Sequence, residues 1–385
     1  MTFGTRMWSE FLLEDGIVFL NHGSYGATPR VVLAAQDAWR ARMERQPVHF
    51  MSRVLPGALR EAAGVLAGFL GVSGDDLVFV ENATAGVNAV MRGATLGPGD
   101  EVLTTDHAYP AIRNVLGLVC RESGATLVEA ALPFPLSGDD QVVASVAAAL
   151  SPRTRLAVFD HVTSETATVL PIAALAALCR SRGVPLLVDG AHAPGMLDLD
   201  IAAVGADWYV GNAHKWLFAP KGCGFLWAAR LRQPGLHPPV VSHGLDQGFT
   251  AEFDWVGTRD PSAWLTVRDA IAFLKSLGPN GLGAAAVRAH NNDLAAEAAT
   301  LLSAAWGSEA GAPAAMRGAM ATVRLPLSGT TPEDAARLHD RLIDEHGIEV
   351  PVLALGGSLW VRISAQVYNE IEDYARLAQA VAKMN

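Results

Sequence analysis

The chain has few cysteines, no long apolar run and no excess of positive charge. Its 385 residues include only Cys120, Cys179 and Cys223. They have no paired spacing and form no CxxC, which excludes a disulfide scaffold and a zinc ribbon. No run of about 18 apolar residues is free of polar ones, so no membrane helix is expected. Met1 to Asp15 is mixed in polarity and does not read as a secretory leader; a cytoplasmic protein is expected. The 29 basic and 39 acidic residues leave a net charge of -10. That argues against a nucleic-acid binder relying on overall positive charge. No repeat or low-complexity tract is visible. With 50% hydrophobic and 18% charged residues, the chain can bury a sizeable core, and disorder is excluded as its dominant state.

Short apolar runs alternate with helical stretches between residues 75 and 230. The strand candidates are Leu77–Val80, Glu101–Thr105, Thr126–Ala130, Arg155–Asp160, Pro185–Asp189, Trp208–Val210 and Gly224–Ala228. Helices are expected at Thr84–Met91, Ala111–Arg121, Gln141–Leu150 and Ile172–Ser181. Strands of this kind separated by helices indicate an α/β domain built on a parallel sheet with both faces covered. After residue 260 the texture changes. Helices are expected at Trp264–Leu277, Leu282–Ala305, Pro332–Glu345 and Asn369–Met384, with strands at Met320–Leu325 and around Leu359–Ser364. This reads as a smaller α+β C-terminal domain. The division places the large domain at 17–265, with 1–16 and 266–385 forming the N-terminal segment and the small domain.

In doubly wound sheets, ligands sit outside the carboxyl ends of the strands. Five strand ends here run into Glu81-Asn82-Ala83-Thr84-Ala85-Gly86, Asp106-His107-Ala108-Tyr109, His161-Val162-Thr163-Ser164, Asp189-Gly190-Ala191-His192 and Gly211-Asn212-Ala213-His214-Lys215. Taken singly, each has a plain reading. Asp106, Asp189 and Thr84 could cap helices, His192 and His214 could be structural, and Lys215 could be a surface residue. Their gathering at one sheet edge carries the chemical reading. A desolvated lysine can form a Schiff base with an aldehyde. A carboxylate can hold a pyridinium nitrogen protonated. A helix N-terminus suits a phosphate ester. His107 or Tyr109 could lie over a ring. Together these describe a site for pyridoxal 5′-phosphate (PLP).

The motifs resemble the class V aminotransferases, fold-type I PLP-dependent enzymes that include cysteine desulfurases. The resemblance runs through Asn82–Asn88, Val188–His192, His214-Lys215-Trp216 with Pro220-Lys221-Gly222, Gly257-Thr258, and Val361–Ser364 with Tyr368-Asn369. Phe19–Gly26, Val80–Thr84, Thr105–Tyr109 and Asp254–Asp260 are similar to the isopenicillin N epimerase-like branch. The resemblance implies a mostly parallel seven-stranded sheet and PLP on Lys215. It implies that Asp189 pairs with the pyridine nitrogen, that His192 and Ser164 lie near the ring 3-oxygen, and that His107 or Tyr109 stacks on the ring. Ala83, Thr84, Ala85, Asn212 and His214 would hold the phosphate, and Thr258 would reach the phosphate site of a neighbouring subunit. Asn21, His22 and Tyr25 would line the substrate pocket, and Arg362 would bind the substrate α-carboxylate.

The implied activity acts on an amino-acid substrate through an external aldimine and loss of the α-proton, most like an epimerase or racemase. A carbon–sulfur β-lyase and an aminotransferase are the alternatives within the class. A homodimer with shared active sites is implied, and neither nucleic acid nor membrane is expected as a partner. The stretch His346–Gly357 has no cysteine where desulfurases carry their nucleophile, so persulfide chemistry is not expected. A metal hydrolase using His192, His214, Asp189 and Asp106 would leave Lys215 and the phosphate cup unexplained.

Overall fold

The computed structural model describes residues 3–278 and 282–384. Residues 1, 2, 279–281 and 385 lie outside the described residues, including the outer ends of the expected 1–16 and 266–385 segments. The strands in chain order are β1 (Val18–Phe19), β2 (Leu77–Val80), β3 (Glu101–Thr105), β4 (Thr126–Ala130), β5 (Thr154–Asp160), β6 (Leu186–Gly190), β7 (Trp208–Asn212), β8 (Gly224–Ala228), β9 (Met320–Arg324), β10 (Ile348–Glu349), β11 (Val352–Leu355) and β12 (Ser358–Ser364).

Seven strands form the large sheet in the order β2-β8-β7-β6-β5-β3-β4. All neighbouring pairs are parallel except those made by β8, which runs antiparallel to β2 and β7. The alternation of side chains fills both faces. Val78, Val80, Val102, Leu187, Val210 and Leu226 pack on one face with Val87 and Val90 of the helix Ala83–Gly93. Leu77, Phe79, Leu103, Phe159, Val188 and Phe225 pack on the other, with Leu59 and Leu66 of the helix Leu55–Phe69. Strands buried on both faces need apolar residues at every position, which is why they appear in the sequence as unbroken runs.

The second sheet is antiparallel, in the order β11-β12-β9. Its core is formed with Leu294, Leu302, Leu338, Leu342, Leu377 and Val381 of three helices, Gly283–Trp306, Pro332–His346 and Ile371–Ala382. The Thr331 hydroxyl accepts from the Asp334 N–H, and the Asp334 carboxylate accepts from the Thr331 N–H, so the expected helix start is a reciprocal cap. β1 pairs parallel with β10, which ties Val18 and Phe19, inside the expected 17–265 domain, to this part of the chain.

The sequence reading does not foresee the helices Arg30–Arg45 and Leu55–Phe69 or the short strands β1 and β10, and two further elements differ from expectation. The helix expected at Trp264–Leu277 is two helices, Ser262–Leu265 and Val267–Ser276. β11 is missed by the sequence reading because it is only partly buried along its length. No helix among the described residues is long and apolar enough to cross a membrane.

Candidate active site

The carboxyl ends of β5, β6 and β7 and the start of the helix Ala83–Gly93 enclose a cavity of about 360 Å³. Asp160, Asp189, His192, Asn212, His214 and Lys215 line it, with Thr84, Tyr25 and Tyr109 among the other wall residues. Gly26 brings the N-terminal segment against the lysine loop. Its φ is 70°, and a Cβ there would lie 2.2 Å from the His214 carbonyl oxygen. Only glycine meets both conditions.

Lys215 Nζ lies 3.1 Å from His192 Nε2. Burial, then the charge of Arg362, brings the Lys215 amine down to about 7. Burial also drives His192 well below the usual histidine range. Asp160 and Asp189 are in-register partners on β5 and β6, both buried. Strands run about 4.8 Å apart, and two carboxylates that close do not both ionise readily. Burial raises the pKa of both, and the Asp189 charge raises Asp160 further. Asp160 is missed by the sequence reading, which takes it only as the last residue of a strand. Its in-register pairing with Asp189 is invisible without the strand order.

The phosphate cup differs in detail from expectation. The helix cap is Asn82 rather than Thr84: the Asn82 side chain accepts from the Ala85 N–H at 2.9 Å. The Ala83 N–H donates to Asn212 Oδ1 at 2.8 Å. The amides of Ala83 and Ala85 are thus taken up within the protein. The Thr84 N–H and hydroxyl, which have no partner among the described residues, face an anion best. His214 Nδ1 bonds the Cys223 carbonyl at 3.2 Å. Burial brings His214 down to about 4, so its Nε2 would donate only as an imidazolium that a bound anion itself stabilises.

Arg362 is buried on β12. Its Nη1 donates to the Ser164 carbonyl at 2.6 Å, and its Nη2 to Ser24 Oγ at 2.8 Å and Asn21 Oδ1 at 3.2 Å. No carboxylate pairs with it among the described residues, and its Nε is buried without a partner. Burial lowers its pKa to about 10.

Three expected residues, His22, Asn21 and His107, sit differently from their implied roles. His22 does not line the cavity. It is fully buried behind Lys215, with Nδ1 2.8 Å from the Tyr368 hydroxyl and Nε2 3.0 Å from the Lys215 carbonyl. Asn21 likewise bonds Glu349 and Arg362 instead of facing the cavity. Of the two candidate stacking rings, Tyr109 is on the cavity wall, while His107 bonds Thr166 Oγ1 at 3.1 Å and packs edge-on to Phe134. Thr258 is exposed and does not line this cavity. The three thiols are buried and free, and burial raises all of their pKa values. No thiol lines the cavity, and no cluster suited to a metal ion is present among the described residues.

The model of the class-V aminotransferases matches residues 17–377. The chain belongs to that family. An isopenicillin N epimerase from Amycolatopsis lactamdurans is 39% identical, over 97% of this chain and 96% of its own length. A putative L-cysteine desulfhydrase from Oryza sativa subsp. japonica is 35% identical, over 96% of this chain and 84% of its own. Among solved structures, a variant of the protein C-DES with glycine covalently linked to its PLP cofactor has a TM-score of 0.79 at 22% identity, covering 97% of this chain and 98% of its own. The fold is that of the fold-type I PLP enzymes, and the cofactor of this family member is PLP. The residues present fit it. A desolvated amine, a buried acid pair without a bonded cation and a free helix-start amide answer its aldehyde, ring nitrogen and phosphate.

Proposed function

We propose that this enzyme inverts the configuration of an amino-acid-type substrate at Cα, as an epimerase or racemase. The observation that carries the reading is the Lys215 amine, brought to about 7, beside His192, an acid pair and an arginine with no carboxylate partner. Lys215 is the residue that would hold PLP, and as a free amine it would take the α-proton; a base poised near the working pH is the most effective. When bound, PLP supplies the electron sink for the pair left at Cα. Asp189 carries the negative charge that keeps the ring nitrogen protonated. Thr84, Asn212 and His214 hold the phosphate. Arg362 orients the substrate carboxylate, and its fixed fork sets the direction of the Cα–H bond. Tyr25 and Tyr109, the phenols on the cavity wall, are the groups suited to return a proton from a second direction.

A panel of L-amino acids in deuterated water tests this. Inversion predicts deuterium at Cα together with formation of the D-isomer. Retained protium at Cα across the panel, with Lys215-bound cofactor present, would contradict it. The 35% identity to a putative cysteine desulfhydrase favours carbon–sulfur β-elimination as the second reading. Pyruvate and sulfide released from cysteine would select it.

We also propose a homodimer in which Thr258 reaches the partner's phosphate site, since Thr258 is exposed and stands off its own cavity. A fully active monomer in light scattering would refute this. A cytoplasmic setting suits three free, buried thiols.

A further inference from the structure

His192 lies between two nitrogen groups, and their donor capacities fix its protonation. Its Nε2 is 3.1 Å from Lys215 Nζ. Its Nδ1 accepts from the Trp216 indole N–H at 3.4 Å. An indole nitrogen is a donor only. Nδ1 must therefore present its lone pair, and a neutral imidazole must carry its one proton on Nε2. That N–H points at Lys215 Nζ, which can accept it only as the neutral amine. An ammonium there would set donor against donor. An imidazolium would set its Nδ1–H against the indole.

We propose that Trp216 is a positioning residue: by donating to His192 Nδ1 it fixes the Nε2–H tautomer, and through that N–H it holds Lys215 as a neutral amine. The proposal rests on the reading of Lys215 as the reactive group, and it assigns a task to the residue that follows the lysine in sequence. The indole is held in place. It is 1% exposed, packs with Val162, Met196 and Met320, and its ring lies 4.9 Å from that of His22. His22 in turn bonds the Lys215 carbonyl, so the lysine is held at its backbone by one histidine and at its nitrogen by the other.

The surrounding charges act in the same direction on His192. Burial first, then the charges of Lys215, Arg362 and His214, lower it well below the usual range. On Lys215, burial and Arg362 favour the neutral amine, while Asp189 and Asp160 oppose it. When Lys215 takes up a proton it loses the hydrogen bond from His192, which favours handing that proton on.

The test uses the full chain freed of cofactor. Nitrogen-15 spectra of labelled histidine, with the His192 signals identified by their loss in His192→Gln, should show the Nε2–H tautomer in the wild type above neutral pH. In Trp216→Phe the ring remains but the donor is gone, so a mixture of tautomers is expected. The pH midpoint of Lys215 acylation, followed by peptide mapping, should rise by about one to two units in Trp216→Phe, the shift expected for one hydrogen bond to a charged group. In the His192→Gln background the same substitution should move it little, because no tautomer remains to be set. An Nδ1–H tautomer in the wild type, or an equal shift in both backgrounds, would overturn the proposal. If Trp216→Phe does not fold, the wild-type tautomer alone decides. Cofactor attached to another lysine would sink the reading of Lys215 yet leave the tautomer result standing.

Discussion

Two regions of this molecule bury ionisable groups of opposite sign without an ion-pair partner among the described residues. At the ends of β5 and β6, Asp160 and Asp189 lie side by side with no bonded cation among the described residues. On β12, Arg362 is buried with no bonded acid among the described residues. More exposed charges are matched within the chain, as in Arg60–Asp254 at 2.6 Å and Arg113–Glu129 at 2.5 Å. A buried charge without its partner is costly, so each region suits a partner of opposite sign. The acid pair suits a cationic ring nitrogen, and the arginine suits a carboxylate. Lys215 lies between their influences, lowered by Arg362 and raised by the two acids. Asp160 and Asp189 line the cavity, whereas Arg362 stands behind its wall, bonded to the wall residues Ser24 and Ser164.

Removing the charge at the acid end should have the largest effect. Asp189→Asn is expected to lower kcat/KM by roughly 100-fold, the upper range for a hydrogen bond to a charged group, with PLP still partly retained. Turnover close to wild type would mean that Asp189 only caps the turn at Ala191, whose N–H it accepts at 2.9 Å. At the other end, Arg362→Lys keeps the charge but loses the fork. It should raise KM by roughly 10-fold while the absorbance of bound PLP stays unchanged.

The two ends also couple through Lys215. The neutral amine is the reactive form, so uptake of PLP by the cofactor-free protein should rise with pH through about 7 and then level off. Arg362→Gln removes a cation that favours the neutral amine, so the midpoint should move upward. An unmoved midpoint would show that the two regions act independently. The smallest effect is expected from Asp160→Asn, within roughly 3-fold of wild type, because asparagine reproduces the neutral member of the pair. A loss larger than that of Asp189→Asn would reverse the assignment of which acid holds the charge.

The large sheet was legible in the sequence because its central strands, buried on both faces, leave short apolar runs; the edge strand β4 is partly exposed and was found from its place between two helices. β11 left no such mark, being half-buried in a hairpin with β12. For the site, Lys215, Asp189, His192 and His214 could be found from their places at strand ends. Contacts that depend on the strand order or on a neighbour's hydrogen bond could not. Asp160 needed the β5–β6 register, His22 needed to be seen behind the lysine carbonyl, and the engaged amides of Ala83 and Ala85 needed the Asn82 and Asn212 side chains in place. Trp216 appears in the sequence only as a member of the lysine motif, and its bond to His192 is visible in the structure alone.

The central claim is that Lys215 is the amine that holds PLP. Borohydride reduction of the purified protein, followed by peptide mapping, tests it most directly. The account predicts a stable label on Lys215, lost in Lys215→Ala along with the visible absorbance of the bound cofactor. Lys221 also lines the cavity, and burial lowers its amine too. A label on Lys221 in the wild-type protein, with none on Lys215, would contradict the account.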